Sequence, residues 1–304
     1  MHRAISGDLS FLILDDKGPS FIVNRYRVGT FFNGGALHLH PFEAMYLFLK
    51  GKIRPENDAY SDTATLMRRL LGSGTDLDMF LVFMELKERG LRVRRDGPVL
   101  RVGSTEVVVQ KESSTVDMHF LIEHSPCIVA AIDGDGGDIT FFSSSVEEPA
   151  GSNSFSTDAG GCTELFDGRL LCDPGSVPPW FGEPVGGLKL LNEEESAFVS
   201  GKCTKDQDLV FRDLVERGGM IVKSGFKYGA SFRAYRSSIE EHADYLIHMT
   251  GGDRDEFYRI SRAVRVAHAV RKEMLFAYVR PGKISYMKLM RLRDIGSYFS
   301  TAGP

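Results

Sequence analysis

Helix-then-strand segments stand out in the pattern of apolar and polar positions along the chain. Residues 82–90 (VFMELKERG) place apolar side chains at helical spacing and end in glycine, a common terminator of helices. The short run 91–95 that follows predicts a strand. Residues 210–218 (VFRDLVERG) and 220–223 repeat the arrangement. The pattern therefore predicts a helix followed by a strand at two places.

A second pair of matching segments precedes these. Residues 37–51 and 188–201 each predict a strand, a cap at Pro41 or Asn192, and a short helix that a glycine ends. The two halves of the chain thus share a second block in the same order.

The third match is a pair of strands joined by a turn, at residues 128–142 and again at 274–288. Three matching blocks in one order predict an internally duplicated chain. Each half is expected to be an α/β unit with a mixed sheet and flanking helices. Between the halves, residues 146–161 are rich in Ser and Gly and predict a linker. The predicted division is therefore 1–145, a linker, and 162–304.

The composition is that of a folded protein with room for two domains. The chain has 304 residues, of which 42% are hydrophobic and 26% charged, so neither a disordered nor a fibrous protein is indicated. Its apolar runs are far shorter than the roughly 18 residues that span a bilayer. The N-terminal residues also lack the apolar core of a leader peptide. We therefore expect a soluble, cytoplasmic protein.

The cysteines are scattered, and none forms a C-x-x-C pair. The four are Cys127, Cys162, Cys172 and Cys203. Their spacing argues against a structural zinc site, and the length of the chain argues against a disulfide framework. We expect buried or idle thiols.

Charge is distributed unevenly, although the net charge is only −4. Residues 209–304 hold 17 Lys and Arg against 10 Asp and Glu, whereas residues 1–208 hold 20 against 31. A polyanion is therefore expected to bind the last third of the chain.

Part of that basic charge falls on a helix predicted at residues 256–273. Arg265, His268 and Lys272 share one face at helical spacing. The apolar stripe of the helix consists of Ile260, Ala263, Val264, Ala267 and Val270. A basic face is often merely solvated, but in an acidic protein it favours contact with phosphate.

Upstream of this helix, residues 223–236 (KSGFKYGASFRAYR) interleave glycines with cations and aromatic rings. Such a segment suits close approach to a phosphate chain and stacking of unpaired bases. Residues 240–248 (EEHADYLIH) follow, and their apolar alternation predicts a strand just after His242. Each Tyr, His or Lys here is ordinarily structural. Together they form a set able to perform acid–base catalysis and anion stabilisation without a metal.

These motifs carry a resemblance to a known family. The segments K-x-G-F-K-Y-G-x-x-F-R-x-Y, E-H-x-x-Y-L-I and R-A-V-R-V-A-H-x-V-R-K resemble those of the archaeal tRNA-intron (tRNA-splicing) endonucleases. The strong part of the match covers residues 223–277, and the duplicated layout extends it weakly over most of the chain. The resemblance implies a catalytic triad of Tyr235, His242 and Lys272.

It also implies residues that bind RNA without reacting. Arg265, seven residues before the triad lysine, matches a position that grips an extruded bulge base, and a basic residue of the last strand, Lys288, matches a second. The chain departs from the family pattern at Ser231, where an acidic residue or His often precedes the Phe.

The duplication resembles the two-unit, homodimeric type of the family. Residues 1–145 would then be a degenerate, non-catalytic repeat, 162–222 the N-terminal subdomain of the catalytic unit, and 223–304 the catalytic nuclease subdomain. The repeat would dock an acidic loop into a basic cleft of the partner. Its candidate residues are Asp133, Asp135 and Asp138. The residues alone favour an ordinary solvent-exposed hairpin turn, and it is the resemblance that favours docking.

The expected reaction is cleavage of precursor tRNA at bulge–helix–bulge sites by attack of a 2′-hydroxyl on its own phosphate. The products are a 2′,3′-cyclic phosphate and a 5′-hydroxyl, and no cofactor or metal is required. Lys272 would stabilise the negative charge and His242 would act as general acid. Tyr235 would act as general base or orient the hydroxyl.

Two alternatives remain at this point. The chain could be a non-catalytic RNA-binding or structural subunit of a splicing-type assembly. It could also be a metal-dependent nuclease, with ligands drawn from His38, His40, His119 and His124. The H-L-H pair has no evident third ligand, which disfavours metal chemistry. Residues 292–304 have no functional account.

Overall fold

Short strands and helices alternate along the chain in the computed structural model. It describes residues 2–6, 11–13, 18–32, 36–55, 62–72, 74–135, 137–250 and 254–301. The strands up to residue 147 are β1 (His2–Ser6), β2 (Phe11–Ile13), β3 (Thr30–Phe31), β4 (Leu37–Leu39), β5 (Ile53–Pro55), β6 (Val93–Asp96), β7 (Val99–Val102), β8 (Thr105–Lys111), β9 (Thr115–Asp117), β10 (Cys127–Ile132) and β11 (Ile139–Glu147). The helices among them are α1 (Gly18–Tyr26), α2 (Pro41–Leu49), α3 (Thr63–Leu71), α4 (Gly74–Glu88) and α5 (Met118–Glu123).

The remaining elements follow from residue 162. The strands are β12 (Cys162–Glu164), β13 (Leu170–Cys172), β14 (Glu183–Val185), β15 (Leu188–Leu190), β16 (Ile221–Ser224), β17 (Phe232–Tyr235), β18 (Tyr245–Met249), β19 (Arg254–Glu256), β20 (Glu273–Arg280) and β21 (Lys283–Arg291). The helices are α6 (Glu193–Ser200), α7 (Asp206–Arg212), α8 (Phe257–Ala269) and α9 (Ile295–Thr301). A π-helical turn, Asp213–Arg217, extends α7. Among the described helices, none has the length and apolar character needed to cross a membrane.

Two compact units interleave along the chain. The first comprises residues 1–114, 127–142 and 292–304, and the second comprises 115–126 and 143–291. The main division lies close to the predicted boundary at residue 145. Residues 115–126 and 292–304 nevertheless group with the unit of the opposite half. The roles predicted for 1–145, 146–161, 162–222 and 223–304 stay predictions.

The main sheets of the two units have the same strand order. In the first unit the order is β6–β7–β8–β10–β11, and in the second it is β16–β17–β18–β20–β21. In each, the first three strands are antiparallel and the third pairs in parallel with the fourth. The mixed α/β class is thereby confirmed. The shared order supports the internal duplication, which stays a prediction.

Matching caps begin the short helices α2 and α6. The Asn192 side chain accepts a hydrogen bond from the Glu195 backbone N–H at 2.8 Å. The corresponding cap of α2 is His40, whose Nδ1 accepts from the Phe42 N–H at 3.2 Å. The prediction of Pro41 as the cap is wrong by one residue. Pro41 fills the first helical position, where no N–H is needed.

The second unit packs its aromatic core against one face of its main sheet. Phe232, Ala234, Tyr245 and Ile247 contribute to this core. Since side chains alternate across a strand, Tyr235 lies on the opposite face of the sheet. There it packs with Ile221 and Ala243 and against the half-buried Trp180.

The predicted linker is bound to the second unit. The backbone N–H of Gly151 donates to the Gly218 carbonyl oxygen at 2.6 Å, and that of Asn153 donates to Gly219 O at 3.1 Å. The Ser152 N–H donates to the carbonyl oxygen of Arg236 at 2.9 Å. Residues 151–153 therefore belong to the ordered structure around the end of β17.

Cys162 and Cys172 form a disulfide, so the expectation of idle thiols is wrong for this pair. They lie directly opposite each other in the hairpin of β12 and β13. The spacing of the cysteines did not predict this disulfide, because it is the pairing of β12 with β13 that brings the two side chains together. Cys127 and Cys203 remain thiols.

Loss of this disulfide should destabilise the second unit. Cys162 and Cys172 are separated by 10 residues, and closing such a loop contributes about 2–3 kcal/mol to the free energy of unfolding. We expect a Cys162→Ser/Cys172→Ser variant to lose about this amount. Denaturation by guanidinium, followed by the fluorescence of Trp180, measures it. Cys203→Ser is the control and should unfold like the unchanged protein. Equal stability of the oxidised and reduced protein would contradict the prediction.

Candidate active site

One edge of the second unit's main sheet gathers the three predicted triad residues. Ala234 of β17 lies opposite Tyr245 of β18, which in turn lies opposite Glu273 of β20. Tyr235 follows Ala234 directly, and Lys272 directly precedes Glu273. The register therefore brings Tyr235 and Lys272 to the same edge as the loop that carries His242.

The backbone at Ala243 joins these residues. The side chain of Lys272 donates a hydrogen bond from Nζ to the Ala243 carbonyl oxygen at 2.9 Å. Tyr235, only 5% exposed, packs against Ala243. His242 is the preceding residue and is exposed. A buried phenol, an anchored ammonium group and an accessible imidazole thus surround one short stretch of backbone.

Two contacts that the sequence did not reveal fix the loop bearing His242. The Asp244 carboxylate accepts a hydrogen bond from the Arg236 N–H at 2.9 Å. The Arg236 guanidinium lies over the ring of Tyr245, 5.1 Å from its centre, and hydrogen-bonds the Tyr245 hydroxyl. The two ends of the loop are therefore joined to each other, and its first residue is also held against β18. The sequence does place an acidic residue, Asp244, two positions after His242. That it binds the Arg236 N–H could be known only from the tertiary structure.

The G-F-K-Y-G segment forms a tight turn beside the lysine. A Cβ on Gly225 would lie 2.7 Å from the Ala230 carbonyl oxygen, and Gly229 has a φ of +66°, so both positions require glycine. The Tyr228 ring centre lies 6.0 Å from Lys272 Nζ and 5.9 Å from the Arg233 guanidinium. An aromatic ring thus stands between two cations.

Lys272 does not lie on the helix, contrary to prediction. The helix α8 ends at Ala269, and the Lys272 N–H donates back to the Ala267 carbonyl oxygen at 2.9 Å. The Arg271 N–H donates to His268 O at 3.2 Å, which completes a Schellman motif. Arg271 occupies its left-handed position with a φ of +55°. This reversal of the chain directs Lys272 away from the helix and toward Ala243.

Much of the predicted helix stripe is nonetheless confirmed. Ile260, Val264 and Ala267 are buried, whereas Val270 lies past the helix end and is 38% exposed. Arg265 is exposed on the outer face of α8, and its guanidinium lies 3.5 Å from the Ser261 hydroxyl. The position suits a residue that contacts a ligand from the surface.

Lys288 is engaged in ion pairs. Its Nζ lies 3.2 Å from the Glu273 carboxylate and 3.5 Å from that of Glu147. Burial acts to lower the pKa of Lys288, but the two carboxylates outweigh it and the pKa lies above its ordinary value. A base-binding role for Lys288 would require this ion-pair arrangement to open.

A groove of about 410 Å³ adjoins Tyr235. Lys223 and Arg233 line it, and the Lys223 ammonium pairs at 3.0 Å with the fully buried Glu195. The pKa of the nearby Lys189 is lowered, first by burial and then by the charge of Lys223. Two cations, Lys223 and Arg233, and two carboxylates, Glu183 and Glu195, therefore line the groove beside the predicted triad tyrosine.

Two of the histidines considered as metal ligands, His40 and His119, make other contacts. His40 caps α2, and burial, followed by the charge of Arg95, lowers its pKa to about 4. His119 pairs with Glu123 at 3.3 Å. In the described part of the chain, no three His, Cys, Asp or Glu side chains are grouped so as to hold a metal ion.

The sequence matches a known family of nucleases. The model of the tRNA intron endonuclease catalytic C-terminal domain matches residues 206–286, which contain the whole sheet edge described above. A tRNA-splicing endonuclease of Thermoplasma volcanium is 33% identical, covering 97% of this chain and 99% of that protein. That of Picrophilus torridus is 31% identical over the same shares. That of Methanosarcina acetivorans is 25% identical over 91% and 96%. The chain belongs to the tRNA-splicing endonuclease family.

The left-handed backbone at Arg271 predicts an inverted response to substitution. In a helix interior, Ala is more stable than Gly by about 1 kcal/mol. At Arg271 we expect Arg271→Gly to be more stable than Arg271→Ala by about 1 kcal/mol, because only glycine accepts this φ without strain. Both variants remove the same charge, so each is the control for the other. Their free energies of unfolding decide the matter. Greater stability of the Ala variant would mean that the turn is not left-handed.

Proposed function

We propose that this endonuclease excises introns from precursor tRNA by cutting at bulge–helix–bulge sites without a metal ion. The observation that carries the proposal is the arrangement around Ala243. There the Lys272 ammonium group is anchored, Tyr235 is packed and His242 is exposed. The match of residues 206–286 to the catalytic domain of the family supports it.

The proposed reaction needs only groups that this edge of the sheet supplies. The ribose 2′-oxygen forms a bond to the adjacent phosphorus, and the bond from phosphorus to the 5′-oxygen breaks. Because the nucleophile is tethered beside its target, a metal is not required to deliver it. Lys272 stabilises the charge on the phosphorane, and the exposed His242 protonates the departing 5′-oxygen. The products are a 2′,3′-cyclic phosphate and a 5′-hydroxyl.

Tyr235 has two proposed roles in this scheme. It removes the proton of the 2′-hydroxyl, or it orients that hydroxyl for attack. A tyrosine hydroxyl is a weak base near neutral pH, so the first role requires a nearby cation. Lys272, on the other side of Ala243, is the candidate.

The substrate is proposed to present a flexible bulge. In a single-stranded bulge the base can leave the stack and the 2′-oxygen can align with the bond that breaks. Arg265, exposed on α8, is placed to hold such a base by stacking and charge. Lys288 is the second proposed RNA contact, once its ion pairs with Glu273 and Glu147 open.

We further propose that two chains associate through the acidic loop between β10 and β11. Asp135 and Asp138 are exposed, and the Asp133 side chain accepts the Gly137 N–H at 2.9 Å and so shapes the turn. Gly136 lies outside the described residues. The opposing surface is proposed to be the partner chain's groove, which Lys223 and Arg233 line together with Glu183 and Glu195. Its two cations are the proposed partners of the loop aspartates.

The activity is tested with a short bulge–helix–bulge RNA and excess EDTA. We expect cuts in the bulges that leave cyclic phosphate and 5′-hydroxyl ends. Lys272→Ala should reduce kcat by about a hundredfold or more, since it removes charge stabilisation from the transition state. Arg265→Ala should raise KM more than it lowers kcat.

Lys283→Ala removes an exposed lysine from the β20–β21 turn and is the control, with activity unchanged. Cutting that requires added magnesium would disprove the mechanism. RNA that is bound but never cut would favour the non-catalytic subunit.

The dimer is tested by charge reversal. We expect Asp135→Lys/Asp138→Lys to dissociate the dimer in sedimentation experiments, because like charges would then face each other. Arg233→Glu should do the same, and the combined variant should restore association. Glu216→Lys, at an exposed position on the π-helical turn, is the control. A dimer that survives the loop substitutions would contradict this arrangement.

A further inference from the structure

A second basic groove lies in the first unit, which lacks the triad. Its volume is about 370 Å³. Four arginines line it, Arg27, Arg92, Arg94 and Arg101, and Glu43 is the acidic residue among the described lining residues. Residues 1–208 carry 20 Lys and Arg against 31 Asp and Glu. The groove therefore concentrates cations within a part of the sequence that is acidic overall.

The strands β6 and β7 hold two of these arginines face to face. Arg94 lies directly opposite Arg101 in the strand register, and like charges in this position are destabilising. Arg101 is compensated by Asp96 at 2.9 Å and by Glu106 at 2.5 Å. Arg94 and the neighbouring Arg92 are exposed and form no ion pair with other described residues. The hairpin thus presents two uncompensated guanidinium groups.

The third arginine is held in a strained turn. Arg27 follows α1 with a φ of +53°, a conformation that favours glycine. The Lys87 ammonium group, 6% exposed, donates to the carbonyl oxygens of Tyr26 at 2.6 Å and Arg27 at 3.2 Å. The Arg27 guanidinium donates in turn to Gly90 O at 3.1 Å. The buried Lys87 ammonium group therefore fixes the backbone that presents the exposed Arg27 side chain.

Glu43 completes the support beneath the groove. Its carboxylate accepts the N–H groups of Gly29 at 3.0 Å and His40 at 2.9 Å. Burial raises the pKa of Glu43 and lowers the pKa of Lys87 to about 8, so both charges are held in a poorly solvated place. Strain and inward-facing charge gathered at one site are typical of functional surfaces.

Protection of a sheet edge does not account for this arrangement. β6 is an edge strand, and charged side chains there prevent pairing with other chains. That role needs neither Arg27 nor its strained turn. Among the described lining residues the uncharged ones are Val28, Gly29, Thr30, Val93 and Gly103, without the aromatic anchors typical of protein interfaces. Guanidinium groups without such anchors are the usual binding groups for phosphate.

We propose that this groove binds phosphates of the sugar–phosphate backbone of the substrate RNA, outside the bulges that are cut. Arg92 and Arg94 lie two residues apart along an extended chain, about 7 Å, which suits successive phosphates of one strand. The proposal extends the proposed function and rests on it. The groove would anchor the folded part of a precursor tRNA while the triad acts on a bulge.

The test measures binding separately from cleavage. The probes are a full precursor tRNA and a short bulge–helix–bulge RNA, each with 2′-deoxy residues at the cut positions so that neither is consumed. We expect Arg92→Ala/Arg94→Ala to raise the Kd of the precursor about tenfold and to leave that of the short RNA unchanged. The slope of log K against log salt should fall by about 1.5 for the precursor.

The control removes the same charge elsewhere in the first unit. Lys52→Ala/Arg68→Ala replaces two exposed cations outside the groove and should leave both Kd values unchanged. Arg27→Gly should weaken precursor binding without loss of stability, because glycine accepts the φ of +53°. Unchanged precursor binding in the Arg92/Arg94 variant, or equal weakening by the control, would overturn the proposal.

Cleavage of the unmodified short RNA in EDTA reports on the proposed catalytic site and not on the groove. If the unchanged protein cuts it while the Arg92/Arg94 variant binds the precursor normally, the groove proposal fails and the proposed function stands. If the short RNA is not cut but the Arg92/Arg94 variant binds the precursor more weakly, the proposed function fails and the groove proposal stands.

Discussion

Each unit is organised around one inward-facing carboxylate at the start of a short helix. Glu195 accepts the N–H groups of Gly182 at 2.9 Å and Asn192 at 3.2 Å, and it pairs with Lys223 of β16. Glu43 accepts the N–H groups of a glycine and of the cap residue in the same way, in the field of Lys87. Each of the two carboxylates thus caps a helix and binds the backbone of a glycine turn, and Glu195 also forms an ion pair with a lysine. Removing either would leave several polar groups without partners.

The buried carboxylate and the lysine near it stabilise different surfaces in the two units. In the second, the lysine held by Glu195 lines the groove beside Tyr235. In the first, the lysine near Glu43 holds the turn of Arg27 instead. Within the described residues, Arg27 and Arg271 are the non-glycine residues with positive φ, and both follow a helix. At each position glycine would fit the backbone conformation better, so the arginine lowers stability. In exchange, the chain presents a guanidinium group there.

The sequence predicted correctly those features that depend on residues close together in the chain. The cap at Asn192, the helix end at Gly201 and the strand pair 274–288 depend on neighbours along the chain, and the structure confirms them. The disulfide of Cys162 and the turn that directs Lys272 depend on strand pairing and on an arginine in a glycine conformation. No periodicity encodes either. Tyr235, His242 and Lys272 could be chosen from the sequence by residue type and spacing, whereas their meeting point at Ala243 required the register of β17, β18 and β20.

The segment that joins the two halves has a consequence for how such a chain could be divided. Residues 151–153 add backbone hydrogen bonds to Gly218, Gly219 and Arg236, the residue next to Tyr235. A gene split that produced two polypeptides would have to fall before Gly151 to leave the catalytic half intact. A break placed later, at the start of β12, would remove the segment that secures the end of β17. The junction is therefore a structural part of the second unit rather than a loose connection between the halves.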